Sequence, residues 1–339
     1  MNNVNNFDKN CWPIKKISAK KIEVLKIKKC FYKPYFFQRK VFFVFDSLKF
    51  KFIKKWYLDN VLEDFTIRLH MKFFFISLNR ITTQFFFFII SLYVKKKIIF
   101  HKKDEVILFG PYSHNYAHII HEFLNRIIYI KNYTNFKKIT VPDYLKRVLS
   151  SSVFVKSLKN IRIRYLKSNQ NYIIYNVNYL THIENRFSNF YLRDTFNKLR
   201  DIVQNNVEKN NKNCLVLVSR MESSRRRLIN EQELFDKLKI FGFKKFYFEK
   251  LSVNQQIKIA SNCKVMIGYH GAGISNCVYM KKNTHVIEIF NKNYIHSHFK
   301  LFSKIQKINY KNFICTKNLP NLDGLCDSGR IVKYIKNIL

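Results

Sequence analysis

From residue 213 onward the chain alternates short apolar runs with amphipathic stretches, and no other feature restricts its fold as tightly. NCLVLVSR (213–220), FKKFYFE (243–249), KVMIGYH (264–270) and THVIEIF (284–290) read as strands. EQELFDKLKIFG (231–242) and VNQQIKIASN (253–262) carry apolar residues at helical spacing, and residues 273–280 open a further helix. Gly242 supplies a stop for the first of these helices and Ser252 a cap for the second. Strands separated by helices and short loops are not hairpins. They run parallel, with the crossover helices covering both faces of the sheet.

The first half carries a less regular version of this pattern. EVILFG (105–110) reads as a strand closed by Gly110-Pro111. A helix over 113–130 follows, with Ile119, Phe123, Ile127 and Ile130 on one face. KKITV (137–141), IRIRYL (161–166) and YIIYNVNYL (172–180) read as strands, Pro142 opens a helix, and 184–206 forms a long amphipathic helix. The polar stretch NNVEKNNKN (205–213) marks the boundary between a domain over 101–210 and one over 211–339. Residues 1–100 are rich in Phe and Lys and show neither period, so they either complete the first domain or dock on lipid. The apolar run 73–94 has a bilayer-crossing length. Asn79, Arg80, Thr82, Thr83 and Gln84 interrupt it, and a charge at the bilayer centre is costly, so a buried element or a membrane-facing patch is expected rather than a span.

The formal net charge is +40, with lysines spread along the whole chain, which reads as a solvated surface attracted to anionic membranes. With 34 Phe, 20 Tyr and only 7 Gly, the composition is that of an AT-rich coding sequence, so residues that go against the trend carry the information. The 7 cysteines are odd in number and none forms a C-x-x-C pair, which argues against a zinc ribbon or a disulfide framework and for a reducing compartment. Residues 1–40 lack an uninterrupted apolar run of the signal-peptide kind, so a cytoplasmic chain, peripheral at a membrane, is expected.

Two clusters go against the trend. In GYHGAGISN (268–276), three of the 7 glycines fall within six positions at the end of a predicted strand. Ligands of open parallel sheets sit beyond the carboxyl ends of the strands. A helix N-terminus there is a ready anion site. Gly271 and Gly273 are expected to let the backbone turn tightly and approach a phosphate, with His270, Ala272, Ser275 and Asn276 adding donors; a plain tight turn around a core histidine is the bland alternative. In SRMESSRRRLINEQEL (219–234), Arg220, Arg225, Arg226 and Arg227 crowd eight positions of a chain that otherwise prefers Lys. Guanidinium makes forked bonds to phosphate that an ammonium cannot. An exposed basic loop is the alternative here. There is no G-x-x-x-x-G-K-[ST] loop and no G-x-S-x-G elbow.

GYHGAGISNCVYMKKNTHVIEI resembles the signature of glycosyltransferase family 61, SRMESSRRRLINEQEL its upstream Arg segment, and NYAHIIHEFLNRI (115–127) its earlier helix, in the family's order over roughly 110 to 290. Lys282-Asn283 stands where that family often has Pro-Gly, and Asn125 where it has Pro. Asn tolerates the left-handed conformation, so the turn is expected to survive. The resemblance implies a GT-B-like α/β fold of two Rossmann-like parallel-sheet domains with helices on both faces. It implies an inverting, metal-independent transfer from a nucleotide-sugar, UDP-linked, to a glycan or glycolipid acceptor in surface polysaccharide synthesis, with no cofactor. Carried onto this chain, Arg220, Arg225, Arg226, the loop His270, Gly271, Ala272 and Gly273, and Ser275 and Asn276 hold the donor diphosphate, and Glu288 lies near the nucleoside. An inverting transfer needs a base. His114, His118 and Glu122, spaced four apart, share one helical face and supply the candidates, Glu122 or His118 first. A metal held by His114, His118 and His121 is the alternative use of that face. The rival functions are a basic nucleic-acid or membrane-surface binding protein without catalysis, a polysaccharide pyruvyl transferase, and an inactive relative.

Overall fold

Each apolar run of the second half becomes a parallel strand. The computed structural model describes residues 24–36, 39–44, 95–108, 115–180, 190–208 and 214–339. The first sheet takes β1 (Val24–Phe36), β2 (Arg39–Val44), β3 (Lys96–Phe100), β4 (Glu105–Ile107), β5 (Lys138–Pro142), β6 (Arg162–Leu166) and β7 (Asn171–Leu180), in the order β2-β1-β7-β4-β5-β6. β3 and β4 lie end to end along one side of β7, both parallel to it, while β1 lies antiparallel on its other side. The second sheet is parallel throughout, in the order β12-β11-β10-β8-β9, from β8 (Cys214–Val218), β9 (Phe243–Phe246), β10 (Cys263–Tyr269), β11 (His285–Phe290) and β12 (Asn309–Ile314).

Two parallel sheets flanked by helices make the GT-B-like α/β architecture expected from the sequence. The hairpin β1–β2 is an addition: the region of mixed Lys and Phe contributes three strands to the first sheet. The apolar run 73–94 lies outside the described residues. Among the described residues no helix is long and apolar enough to cross a membrane.

The helix expected over 113–130 starts as α1 (Tyr116–His118), widens into a π-helical segment (Ile119–Leu124) and continues as α2 (Asn125–Tyr133). Ile119, Phe123, Ile127 and Ile130 are buried as their spacing predicts. Asn125 does not end the helix; its Nδ2 donates to the His121 carbonyl at 2.7 Å. α3 (Phe190–Asn206) closes the first half, and α4 (Glu231–Lys239), α5 (Val253–Ser261), α6 (His298–Gln306) and α7 (Ser328–Lys336) belong to the second. Gly242 takes φ +89° after α4, and Ser252 with Gln255 forms a capping box at α5. Asn283 takes φ +61°, so the turn before β11 forms without Pro-Gly.

The second sheet is buried on both faces, as a parallel sheet must be. Val216 and Val218 of β8 join a core shared with Val106, Phe123 and Ile139 of the first half. Leu215 and Leu217 face the opposite way, toward Leu234, Leu238 and Ile331 of α4 and α7. The halves are also tied by polar contacts. Arg200 Nη1 of α3 donates to the Gln306 carbonyl at 2.9 Å, and Tyr116 Oη donates to Asn276 Oδ1 at 3.0 Å.

Candidate functional site at the carboxyl edge of the second sheet

β8 and β10 are neighbours, and Val218 pairs with Gly268 near their carboxyl ends. The Arg loop and the glycine turn therefore leave the sheet side by side. A Cβ built on Gly271 would stand 2.1 Å from Nη1 of Arg220. Gly271 has φ 175°, an extended conformation open to any residue, and Gly273 is not among the positive-φ glycines. The turn needs no left-handed glycine torsion at either position. The glycines leave room, Gly271 for the Arg220 guanidinium and Gly273 for Val218, whose Cγ1 would lie 2.7 Å from an added Cβ.

Arg220 is anchored by carbonyls and a hydroxyl: Nε donates to the Arg226 carbonyl at 3.2 Å and Nη2 to Ser223 Oγ at 3.0 Å. Burial, reinforced by Arg226, pushes its pKa down to about 10. Arg226 sits at φ +57°, a left-handed conformation that costs a non-glycine residue roughly 1–2 kcal/mol. Its guanidinium lies 5.1 Å from the centre of the Tyr294 ring, and its buried Nε has no hydrogen-bond partner. Arg225 is exposed beside them. Arg227 differs: its guanidinium and backbone are bound to Asp323, at 2.7 Å for the ion pair, which anchors the loop. Among the described residues, no carboxylate forms an ion pair with Arg220 or Arg226.

His270 completes the corner. Its backbone N–H donates to the Ile289 carbonyl at 2.8 Å, which leaves the side chain to meet a ligand. Nδ1 contacts Glu288 Oε1 at 2.5 Å, and Tyr310 Oη donates to Glu288 Oε2 at 2.6 Å. Burial holds Glu288 well above the usual carboxylate range. Burial, with Arg226 and Arg220 adding to it, lowers His270 to about 3. Both directions favour a neutral pair, in which the Glu288 carboxyl donates to Nδ1 and Nε2 keeps the ring hydrogen. Among the described residues Nε2 makes no hydrogen bond, and it is then a donor.

The structure places Glu288 behind His270 rather than on an open face. It is fully buried, in register beside Gly268 of β10. Ser275 and Asn276 are also fully buried and turn inward. Ser275 Oγ bonds the Ala272 carbonyl; Asn276 Nδ2 donates to the Gly273 carbonyl at 3.0 Å and to Gln256 Oε1 at 3.1 Å. They stabilise the 3-10 helix Ala272–Tyr279 and dock α1 on it. Ala272 stays at its open end, half-buried.

The acceptor-side candidates are less concentrated. His114 lies outside the described residues, as does the side chain of Glu122. The backbone from Ile119 to Leu124 is π-helical, a wider turn than the α-helix from which His118 and Glu122 were paired. His121 packs on Phe302, ring centres 4.0 Å apart. Among the described residues, no cluster of three or more His, Cys, Asp or Glu is placed to hold a metal.

Sequence reasoning passed over Tyr294, His296 and His298. They follow the carboxyl end of β11 and line the same corner, with Tyr294 under Arg226 and His296 stacked on His270 at 5.2 Å. The available signal was NKNYIHSH (291–298), a Tyr and two His in a loop leaving a predicted strand at the ligand edge.

A family model described as Glycosyltransferase 61 matches residues 116–287, from α1 through the Arg loop and the glycine turn into β11. A beta-1,2-xylosyltransferase of Arabidopsis thaliana is 31% identical over 97 residues, covering 25% of this chain and 18% of the plant enzyme.

Proposed function

The chain belongs to the glycosyltransferase 61 family, and from that premise we propose that it is an inverting, metal-independent glycosyltransferase that moves a sugar from a UDP-linked donor to a hydroxyl of a glycan or glycolipid. The observation that carries this reading is the pair of guanidiniums, Arg220 and Arg226, brought against His270 and Gly271 without carboxylate partners. Two half-buried guanidiniums that pair with no carboxylate among the described residues form a site short of negative charge. A nucleoside diphosphate supplies it, with the forked geometry that Arg matches. As the sugar leaves, charge grows on the diphosphate oxygen, and donors already in place stabilise that state more than the ground state. Arg220, Arg226 and His270 Nε2 are those donors, and Glu288 positions the imidazole from behind. Arg225 adds long-range attraction at the rim.

The plant relative's xylosyl transfer favours a UDP-pentose as donor, and the net charge of +40 favours work at an anionic membrane surface on its cytoplasmic side, in surface polysaccharide synthesis.

Calorimetric titration with UDP, GDP, CMP and a short DNA duplex at low and moderate salt tests the reading. UDP is expected to bind in a salt-tolerant manner, and Arg220→Ala to weaken it roughly 10- to 100-fold, the effect of losing a charge-assisted hydrogen bond, with the circular dichroism spectrum unchanged. Binding of DNA alone, fading steeply with salt, would make the charge itself the function.

A further inference from the structure

His296 and His298 have no part in holding the donor, yet they continue the site in one direction. The His296 ring stacks on His270 with 15° between planes and meets Tyr294 edge-on at 4.3 Å. His298 lies 6.4 Å beyond, and a further 6.2 Å leads to His121 on the π-helical segment of the first half. Four imidazoles thus form a row from the phosphate corner to the helix that covers the first sheet. The two ends of the row are engaged. His270 is bound to Glu288, and His121 is wedged among Phe196, Phe299 and Phe302. His296 is half-buried and, among the described residues, makes ring contacts but no hydrogen bond. The titratable groups that face it are His270 at the end of β10, Arg226 from the loop after β8, and Tyr294 and His298 of its own loop.

We propose that His296 is the catalytic residue that takes the proton of the attacking acceptor hydroxyl. The inference rests on the donor-site reading above. The acceptor oxygen forms a bond to the anomeric carbon, and the bond from that carbon to the diphosphate oxygen breaks, its electron pair leaving with the diphosphate. The hydroxyl proton passes to a ring nitrogen of His296. Before the donor arrives, burial, followed by the effects of His270 and Arg226, pushes the His296 pKa down to about 4, so the ring enters neutral. A diphosphate on Arg220 and Arg226 offsets that positive field and raises the basicity of His296 toward the range in which a base is effective. After transfer the new imidazolium lies beside a diphosphate that has gained one negative charge, and each stabilises the other. Proton transfer and departure are therefore coupled through Arg226.

The experiment pairs UDP titration with UDP release from UDP-xylose, UDP-glucose and UDP-N-acetylglucosamine, water serving as acceptor. In His296→Gln, kcat is expected to fall 100-fold or more while the Kd for UDP stays within about threefold. In His296→Gly, added imidazole is expected to restore part of kcat, increasingly as its neutral form is populated, which a structural role would not produce. Undiminished kcat in His296→Gln overturns the assignment. So does a loss of kcat that tracks a loss of UDP affinity, or a kcat that survives there but collapses in Glu122→Gln. A wild-type chain that binds UDP but releases none from the three sugars overturns it too, because a free base beside the donor must activate water. Failure of the wild-type chain to bind UDP is a different result: it removes the donor-site reading itself.

Discussion

At Gly271 the backbone is extended, and a side chain there would occupy the position of the Arg220 guanidinium. Gly271→Ala therefore strains no torsion but displaces one cation from the corner. The expected outcome is a roughly tenfold weaker UDP affinity by calorimetry, with thermal unfolding little changed, the magnitude of one weakened charged hydrogen bond. Unchanged affinity would mean Arg220 does not touch the diphosphate. Residue-scale legibility followed the background. Arg220 and Arg226 were visible because Arg is unusual in a chain dominated by Lys, and His270 because glycines surround it. Glu288 was visible as a residue but not as a position. Its place behind His270 depends on the register Gly268↔Glu288, which one strand read alone does not reveal. His296 was missed because a loop has no period, so nothing in NKNYIHSH marks which side chain turns toward the corner.

At the scale of elements, legibility depended on punctuation. The stop at Gly242 and the cap at Ser252 are local chemistry, written in the residues that perform them, and both formed as read. Ser252→Ala removes the acceptor for the Gln255 backbone N–H and opens the capping box. It is expected to cost about 1 kcal/mol in denaturant unfolding, with no effect on UDP affinity, since the Ser252 side chain is exposed and engages Gln255 rather than the corner. A cost near zero would mean that water replaces the cap at no loss. The π-helical segment was not legible. One extra residue in a turn leaves the apolar positions Ile119, Phe123 and Ile127 buried, so the sequence pattern is the same with it or without it. β1 and β2 were illegible for the opposite reason. KIKKCFYKPYF alternates too loosely to select a period, and its pairing with β7 is a long-range event.

For the whole molecule, the parallel second sheet was legible because strands that alternate with helices leave few topologies open, whereas the burial of ionisable groups inside each half was not. That burial sets how stability responds to pH. Burial lowers folded His101 to about 4, against the pull of Glu105, and folded His270 to about 3. Below the unfolded value of about 6.5, the unfolded chain binds protons at these histidines that the folded chain does not. Stability therefore falls as pH drops through that window, by up to about 1.4 kcal/mol per pH unit for each histidine. His296 acts in the same direction. Glu288, held well above the usual range by burial, acts oppositely: the folded chain keeps a proton that the unfolded chain has released. On the acid side the histidines outnumber it. Above 6.5 they are neutral in both states, and Glu288, with the buried Glu231 acting in the same direction, makes stability fall as pH rises toward their folded values. The melting temperature by circular dichroism is therefore expected to peak near pH 6.5. In Glu288→Gln the decline above pH 6.5 should weaken while the acid limb persists. A wild-type melting temperature that keeps rising to pH 8, or an alkaline decline undiminished in Glu288→Gln, would show that the Glu288–His270 pair is not neutral in the folded chain. His270 would then carry its hydrogen on Nδ1, and Nε2 would face the donor as an acceptor, the wrong polarity for a diphosphate.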